Sequence, residues 1–179
     1  MTSRRTRLLA GVVAVVAAIV ALLMTGLGHD PSVFASPLVG RTAPAFTLPQ
    51  LDGPPVTLAK LRGQVVVINF WASWCTECQV EQAALDQTWQ QFQDSGVVVI
   101  GVNFQDTSDA ARNYVRTDGV TYPVVEDAGS KTALAYGLRG VPETFVVNRS
   151  GRIVKHVIGP VDAAALASEI NPILGMRAQ

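Results

Sequence analysis

The chain has 179 residues, 49% of them hydrophobic, which suits one compact domain plus a short additional segment. Lys and Arg number 14, as do Asp and Glu, so the formal net charge is zero. Beyond the first few residues no basic cluster offers a footprint for nucleic acid or an anionic membrane surface, which excludes nucleic-acid binding as an expected function.

The N-terminal region divides into residues 1–7, 8–27 and 28–39. The run from Leu8 to Leu27 carries no charge and matches the ~20 residues a helix needs to cross hydrocarbon. Arg4, Arg5 and Arg7 precede it, and positive charge is retained on the cytoplasmic side. The expected arrangement is a cytoplasmic N-terminus, a single-pass membrane anchor and an extracytoplasmic domain. A cleaved signal peptide is the alternative, with Val33-Phe34-Ala35 offering cleavage before Ser36. The anchor is favoured because the apolar run exceeds the roughly 7 to 15 residues of a signal core. Residues 28–39 read as a tether, and residues 40–179 as the folded domain.

Within that domain, Val65 to Phe70 is apolar, β-branched and of strand length, which predicts a fully buried strand. From Cys75 to about Gln93, Cys78, Leu85, Trp89 and Phe92 recur at helical spacing, with Gln79, Gln82, Asp86 and Gln90 assigned to another face. Val97 to Val102 repeats the buried-strand pattern, and Thr107 or Ser108 can cap a helix bearing Ala111, Tyr114 and Val115. A short helix over 131–136 stopped by Gly137, a strand over 144–148, a turn at 149–151 and a strand over 153–158 follow, the two strands forming a hairpin. Asp162 can cap a last helix with Leu166, Ile170 and Leu174 on one stripe, which Pro172 is expected to bend or end early. The order implies an α/β fold with a mixed sheet, and no internal repeat or low-complexity tract is present.

The chemistry is concentrated in Trp74-Cys75-Thr76-Glu77-Cys78, where the central strand meets the helix, and these are the chain's 2 cysteines. At a helix N-terminus Cys75 is the expected exposed nucleophile, its thiolate favoured by unpaired N–H groups and the dipole. Cys78, about one turn on and less exposed, resolves the mixed disulfide. A structural disulfide is disfavoured because so tight a loop gives little stabilisation. Zinc wants four ligands, and only His29 and His156 could supplement the cysteines. Covalent haem attachment needs His after the second cysteine, where Gln79 stands. No metal and no cofactor are expected.

The stretch Asn69-Phe70-Trp71-Ala72-Ser73-Trp74-Cys75-Thr76-Glu77-Cys78 resembles the active-site segment of the TlpA/ResA/CcmG (DsbE) family of membrane-anchored thioredoxin-like thiol-disulfide oxidoreductases. Gly40 to Leu48 is similar to that family's opening segment, and Gly140-Val141-Pro142-Glu143-Thr144-Phe145 to its cis-proline loop. The resemblance implies a thioredoxin fold: a central mixed β-sheet flanked by helices, with an N-terminal β segment and a strand-helix insert over 103–122. It also implies that Pro142 is cis and packs beside Cys75, and that Trp74, Val141 and Pro142 bind substrate, Val141 through its backbone. Glu81 and Glu143 correspond to active-site acids, either of which could handle protons on Cys78. Glu81 also suits a helix N-terminus as a plain first-turn carboxylate. Asn69 stands where ordinary thioredoxins carry a buried acid and is expected to hydrogen-bond beneath the redox helix.

Thr76 and Glu77 bring no cation to the thiolate, and carboxylates at Glu77 and Glu81 oppose its formation, which predicts a reducing couple. The resemblance then implies apocytochrome c as client, whose haem-site cysteines must be thiols before attachment, and a CcdA/DsbD-type membrane thiol carrier as electron donor. Two alternatives stay open: a disulfide-forming oxidase of secreted proteins, and a copper-delivery module using Cys75 and Cys78 with His156 as a third ligand. A peroxidase would need a Pro-x-x-x-Thr-x-x-Cys arrangement that is missing.

Overall fold

The structure is a computed structural model that describes residues 4–26 and 36–175, in two units that divide after Phe34. The first unit holds one helix, α1 (Arg4–Gly26). Its side chains are described over residues 8–20, all of them exposed, and among the described residues no helix is long and apolar enough to cross a membrane. Residues 1–3 of the expected basic terminus, Leu27 of the expected anchor, and residues 28–35 of the tether, with His29 and the alternative cleavage site, lie outside the described residues.

The second unit is built on a five-stranded sheet of order β5-β4-β3-β6-β7. Its elements are β3 (Val65–Trp71), α2 (Thr76–Phe92), β4 (Val97–Phe104), α3 (Ser108–Thr117), β5 (Val124–Asp127), α4 (Lys131–Ala135), β6 (Glu143–Val147), β7 (Ile153–Ile158) and α5 (Ala163–Gly175). A small antiparallel pair, β1 (Thr47–Leu48) and β2 (Val56–Thr57), precedes them. β3 runs parallel to β4 and antiparallel to β6, so the mixed sheet expected from the sequence is present.

Every residue of β3 is buried because both of its faces are covered. Alternation sends Val65, Val67 and Trp71 into one apolar cluster with Leu85, Leu166 and Ile170, and Val66, Ile68 and Phe70 into another with Tyr136, Phe145 and Ile153. Asn69 belongs to the first face by the same alternation, which is why a polar residue in this strand meets α2.

The elements depart from expectation at three points, and one open choice between two caps is decided. β5 was not anticipated, because Val124 and Val125 are its only apolar residues and Pro123 directly precedes them. Gln82, expected on a face other than that of Cys78 and Leu85, is buried with them: its Oε1 accepts from the Tyr122 hydroxyl at 2.8 Å and its Nε2 donates to Asp86 at 2.6 Å. α5 continues through Pro172 to Gly175, and the buried side chain beyond the proline is Ile173 rather than Leu174. Proline removes one N–H near the end of a helix that is already docked through Leu166 and Ile170, so the helix is not cut short. Thr107, not Ser108, caps α3, its hydroxyl accepting from Ala110 N–H at 3.2 Å.

Gly101 on β4 sits where a Cβ would come within 2.9 Å of Trp71 Nε1 and 3.0 Å of Tyr122 Cε2. Both rings are core members, so neither can retreat cheaply. Gly101→Ala should therefore destabilise the domain by about 1–3 kcal/mol in denaturant titration.

Candidate active site

Strand direction brings the functional loops together. β4 is parallel to β3, so the loops leaving both strands lie at one end of the sheet, where Trp71 pairs with Asn103. β6 is antiparallel, so its beginning lies at that same end, with Phe70 opposite Glu143. Three segments far apart in sequence converge there: 72–75 after β3, 105–107 after β4, and 139–142 before β6. The carboxyl ends of parallel strands are the usual place for a site in a sheet of this kind.

Cys75 and Cys78 form a disulfide with Cα atoms 5.3 Å apart. Cys75 is the N-cap of α2, with extended backbone, and its Sγ accepts from the Cys78 N–H at 3.1 Å. A sulfur in this position receives one of the helix's unpaired donors, the arrangement that favours a thiolate after reduction. Cys75 is 6% exposed and Cys78 2%, so in the oxidised state the expected contrast between an open and a covered sulfur is small. The cause is the proline loop. The Val141–Pro142 peptide is cis, and the Val141 carbonyl oxygen lies 3.6 Å from Cys75 Sγ. Trp74 is 59% exposed at the rim, and its indole N–H donates to the Gln105 carbonyl at 3.0 Å.

Glu81 stands one turn after Cys78 on α2, and both side chains are buried. Its Oε1 accepts from Asn69 Nδ2 at 2.7 Å and its Oε2 from the Val161 N–H at 3.0 Å. Asn69 Nδ2 also donates to Thr144 Oγ1 at 3.0 Å, so Asn69 ties the redox helix to β6, the hydrogen-bonding role read from the sequence. Burial raises the Glu81 pKa from 4.5 to about 7, and the bonds from Asn69 and Val161 offset only part of that rise. A buried acid balanced near neutrality can both give and take a proton.

Glu143 is fully buried but is engaged differently. Its Oε1 accepts from the Arg139 and Gly140 N–H groups at 2.7 and 3.1 Å, and its Oε2 meets His156 Nε2 at 2.7 Å. The His156 ring stacks on Phe145, with centroids 4.1 Å apart. Glu143 therefore fastens the loop that presents Val141 and Pro142. Among the described residues no group of three or more His, Cys, Asp or Glu is arranged to hold a metal ion.

Sequence reasoning missed three participants. Thr144 and Val161 reach the site only through long-range pairing of β6 and α5 with β3 and α2, for which local pattern carries no signal. Asp106 carries no local signal of its own, because it directly precedes the Thr107 helix cap in a polar stretch. Its Oδ2 accepts from the Ser73 N–H at 2.7 Å and from Asn103 Nδ2 at 3.1 Å. Its Oδ1 accepts from the Ser73 hydroxyl at 3.0 Å and from the Thr107 N–H at 2.8 Å. Burial works against ionisation of Asp106, but the Ser73 N–H, the Asn103 amide, the Ser73 hydroxyl and the Thr107 N–H together outweigh it and hold the carboxyl below its usual range.

The sequence matches the AhpC/TSA family model over residues 39–156. It is 42% identical over 160 residues to a thiol:disulfide interchange protein DsbE of Allochromatium vinosum, covering 88% of this chain and 87% of that protein. It is 31% identical to a thiol-disulfide oxidoreductase ResA of Bacillus thuringiensis, covering 68% of this chain and 70% of the other. Among solved structures, a DsbE-type thiol:disulfide interchange protein from Chlorobium tepidum superposes with a TM-score of 0.71 at 29% identity, covering 75% of this chain and 96% of that one.

Proposed function

The chain belongs to the AhpC/TSA family and is a thioredoxin-fold thiol-disulfide oxidoreductase, and from that premise we propose that it works as a dedicated reductant outside the cytoplasm. Its proposed client is apocytochrome c, whose haem-site cysteines it returns to thiols. The observation that carries the direction is the charge around the cysteine pair. Glu77 lies between the two cysteines and Asp106 is bonded to Ser73, while Glu81, one turn beyond, adds negative charge only in its ionised fraction because its pKa is raised to about 7. Negative groups on the nucleophile's side destabilise a thiolate, favour the disulfide and make the dithiol a better electron donor.

In the proposed cycle the Cys75 thiolate attacks one sulfur of the client disulfide and expels the other as a thiolate. Glu81 takes the proton of Cys78, whose sulfur then attacks Cys75 Sγ and releases the second client sulfur. Two electrons pass to the client, and the protein is left with the Cys75–Cys78 disulfide, the state in the structure. Trp74, Val141 and Pro142 border Cys75 and form the client-binding rim. A membrane thiol carrier of the CcdA/DsbD type resupplies the two electrons.

The proposed placement is a single-pass anchor over 8–27, with residues 1–7 in the cytoplasm, a tether over 28–39 and the domain over 40–179 on the outer side. It is supported by the uncharged run behind Arg4, Arg5 and Arg7. The copper-delivery alternative calls on His156, whose ring is stacked on Phe145 and bonded to Glu143. The oxidase alternative is separated by the equilibrium reduction potential of the Cys75/Cys78 pair. We expect a value at or below roughly −250 mV; a value near about −120 mV would assign disulfide formation instead.

A further inference from the structure

Asp106 enters the proposed function only as one of several negative groups, but its bonds tie it directly to the loop that carries Cys75. Two of its four accepted hydrogen bonds come from its own stretch of chain, Asn103 near the end of β4 and Thr107 at the cap of α3, while both bonds from Ser73 come from the loop carrying Cys75. Their neighbours are tied as well: Trp74, which follows Ser73, donates its indole N–H to the carbonyl of Gln105, which precedes Asp106. Gln105 has φ +47°, a left-handed conformation that L residues seldom adopt. The chain therefore accepts an unfavourable backbone at the position that aims the Trp74 acceptor and the Asp106 carboxylate together. Ser73 is only two residues before Cys75, and the Cys75 N–H is itself bonded to the Ala72 carbonyl at 3.2 Å, so the clamped segment runs up to the nucleophile.

We infer that Asp106 is a positioning residue that clamps Ser73, two residues before Cys75, and that its negative charge disfavours the Cys75 thiolate and keeps the couple reducing. This rests on exchange through Cys75 and Cys78 as proposed above. The carboxylates bearing on the thiolate are then Glu77 on the first turn of α2, Glu81 one turn past Cys78, and Asp106 from the β4–α3 loop. Asp106 acts from outside the redox helix, as does Glu143, whose carboxylate is engaged by the Arg139 and Gly140 N–H groups and by His156.

The test compares the full chain with Asp106→Asn, each equilibrated in glutathione redox buffers at pH 7. Asparagine keeps the shape and an acceptor for Ser73 but removes the charge. The equilibrium constant favouring the protein disulfide should fall three- to tenfold, the upper figure being about 30 mV of potential. The reduced variant should also react faster with iodoacetamide at Cys75, because more of it is thiolate. A purely structural clip would lower the melting temperature and leave both quantities unchanged in the folded protein, and that result overturns the inference. Should Asp106→Asn not fold, Asp106→Ser, which retains a hydroxyl acceptor, is read by the same two quantities. Failure of the wild-type chain to equilibrate with glutathione would instead sink the exchange reading itself.

Discussion

Replacing Cys75 with serine should reduce thiol-disulfide exchange by on the order of 10³-fold or more, the loss expected when the nucleophile itself is removed. Cys78→Ser should behave in the opposite sense, attacking normally and then stalling. The asymmetry follows from the position of each sulfur. Cys75 caps α2 and receives the Cys78 N–H, so after reduction it is the sulfur with a built-in donor and the helix dipole behind it. Cys78 lies inside the first turn, 2% exposed, and can reach only its neighbour. Mixing reduced Cys78→Ser with a peptide that contains a disulfide should yield a stable adduct at Cys75, read directly as added mass. Exchange retained by Cys75→Ser, or no adduct with Cys78→Ser, would refute the assignment of roles.

The second large effect concerns Glu81. Its pKa is raised from 4.5 in the unfolded chain to about 7 in the fold by burial. Between these values the native state holds a proton that the unfolded state has lost, so stability must fall as pH rises. The native acid adds its full share of stability below pH 4.5, and that share is lost as pH climbs through about 7. At 1.36 kcal/mol per pKa unit the loss amounts to about 3 kcal/mol. Glu81→Gln cannot titrate and should show none of this slope when melting is followed from pH 4.5 to 7.5. The same substitution removes the proton acceptor for Cys78, and decay of the mixed disulfide should slow by about 10²-fold, within the usual range for general base catalysis. A variant that resolves the adduct at the wild-type rate would release Glu81 from the cycle and leave only its effect on stability.

Those two sites also mark how far local sequence pattern reaches. The cysteine pair was legible because its spacing, its neighbours and the strand-to-helix boundary are all local. The buried strands β3, β4 and β6 were legible because runs of Val, Ile and Phe admit few other readings. What burial does to Glu81 was not legible, since it depends on Asn69 in β3 and on the Val161 N–H beyond β7, residues brought together by sheet order alone. Gln82 shows a different limit: its spacing from Cys78 and Leu85 puts it on the buried face, its polarity argues for another, and a hydroxyl 40 positions away, Tyr122, satisfies it inside. β5 escaped notice because a four-residue strand with two apolar members carries too little pattern to separate from a loop. Asp106 was hidden by its surroundings, a polar stretch that reads as the start of α3 and yet is bonded to a serine 33 positions earlier.

The antiparallel pairing of β6 with β3 has a consequence for synthesis. The two cysteines leave the ribosome early, while the Val141 carbonyl that closes over Cys75 lies 66 positions downstream. A nascent chain that ends before Arg139 already possesses both thiols but has neither the proline loop nor β6 to pair with β3. During that interval the sulfurs are open to any passing oxidant. The 2 cysteines of the chain allow a single intramolecular pairing, so early oxidation yields the native bond and no scrambled isomer. A chain that matures in an oxidising compartment thus reaches its functional disulfide without proofreading by an isomerase.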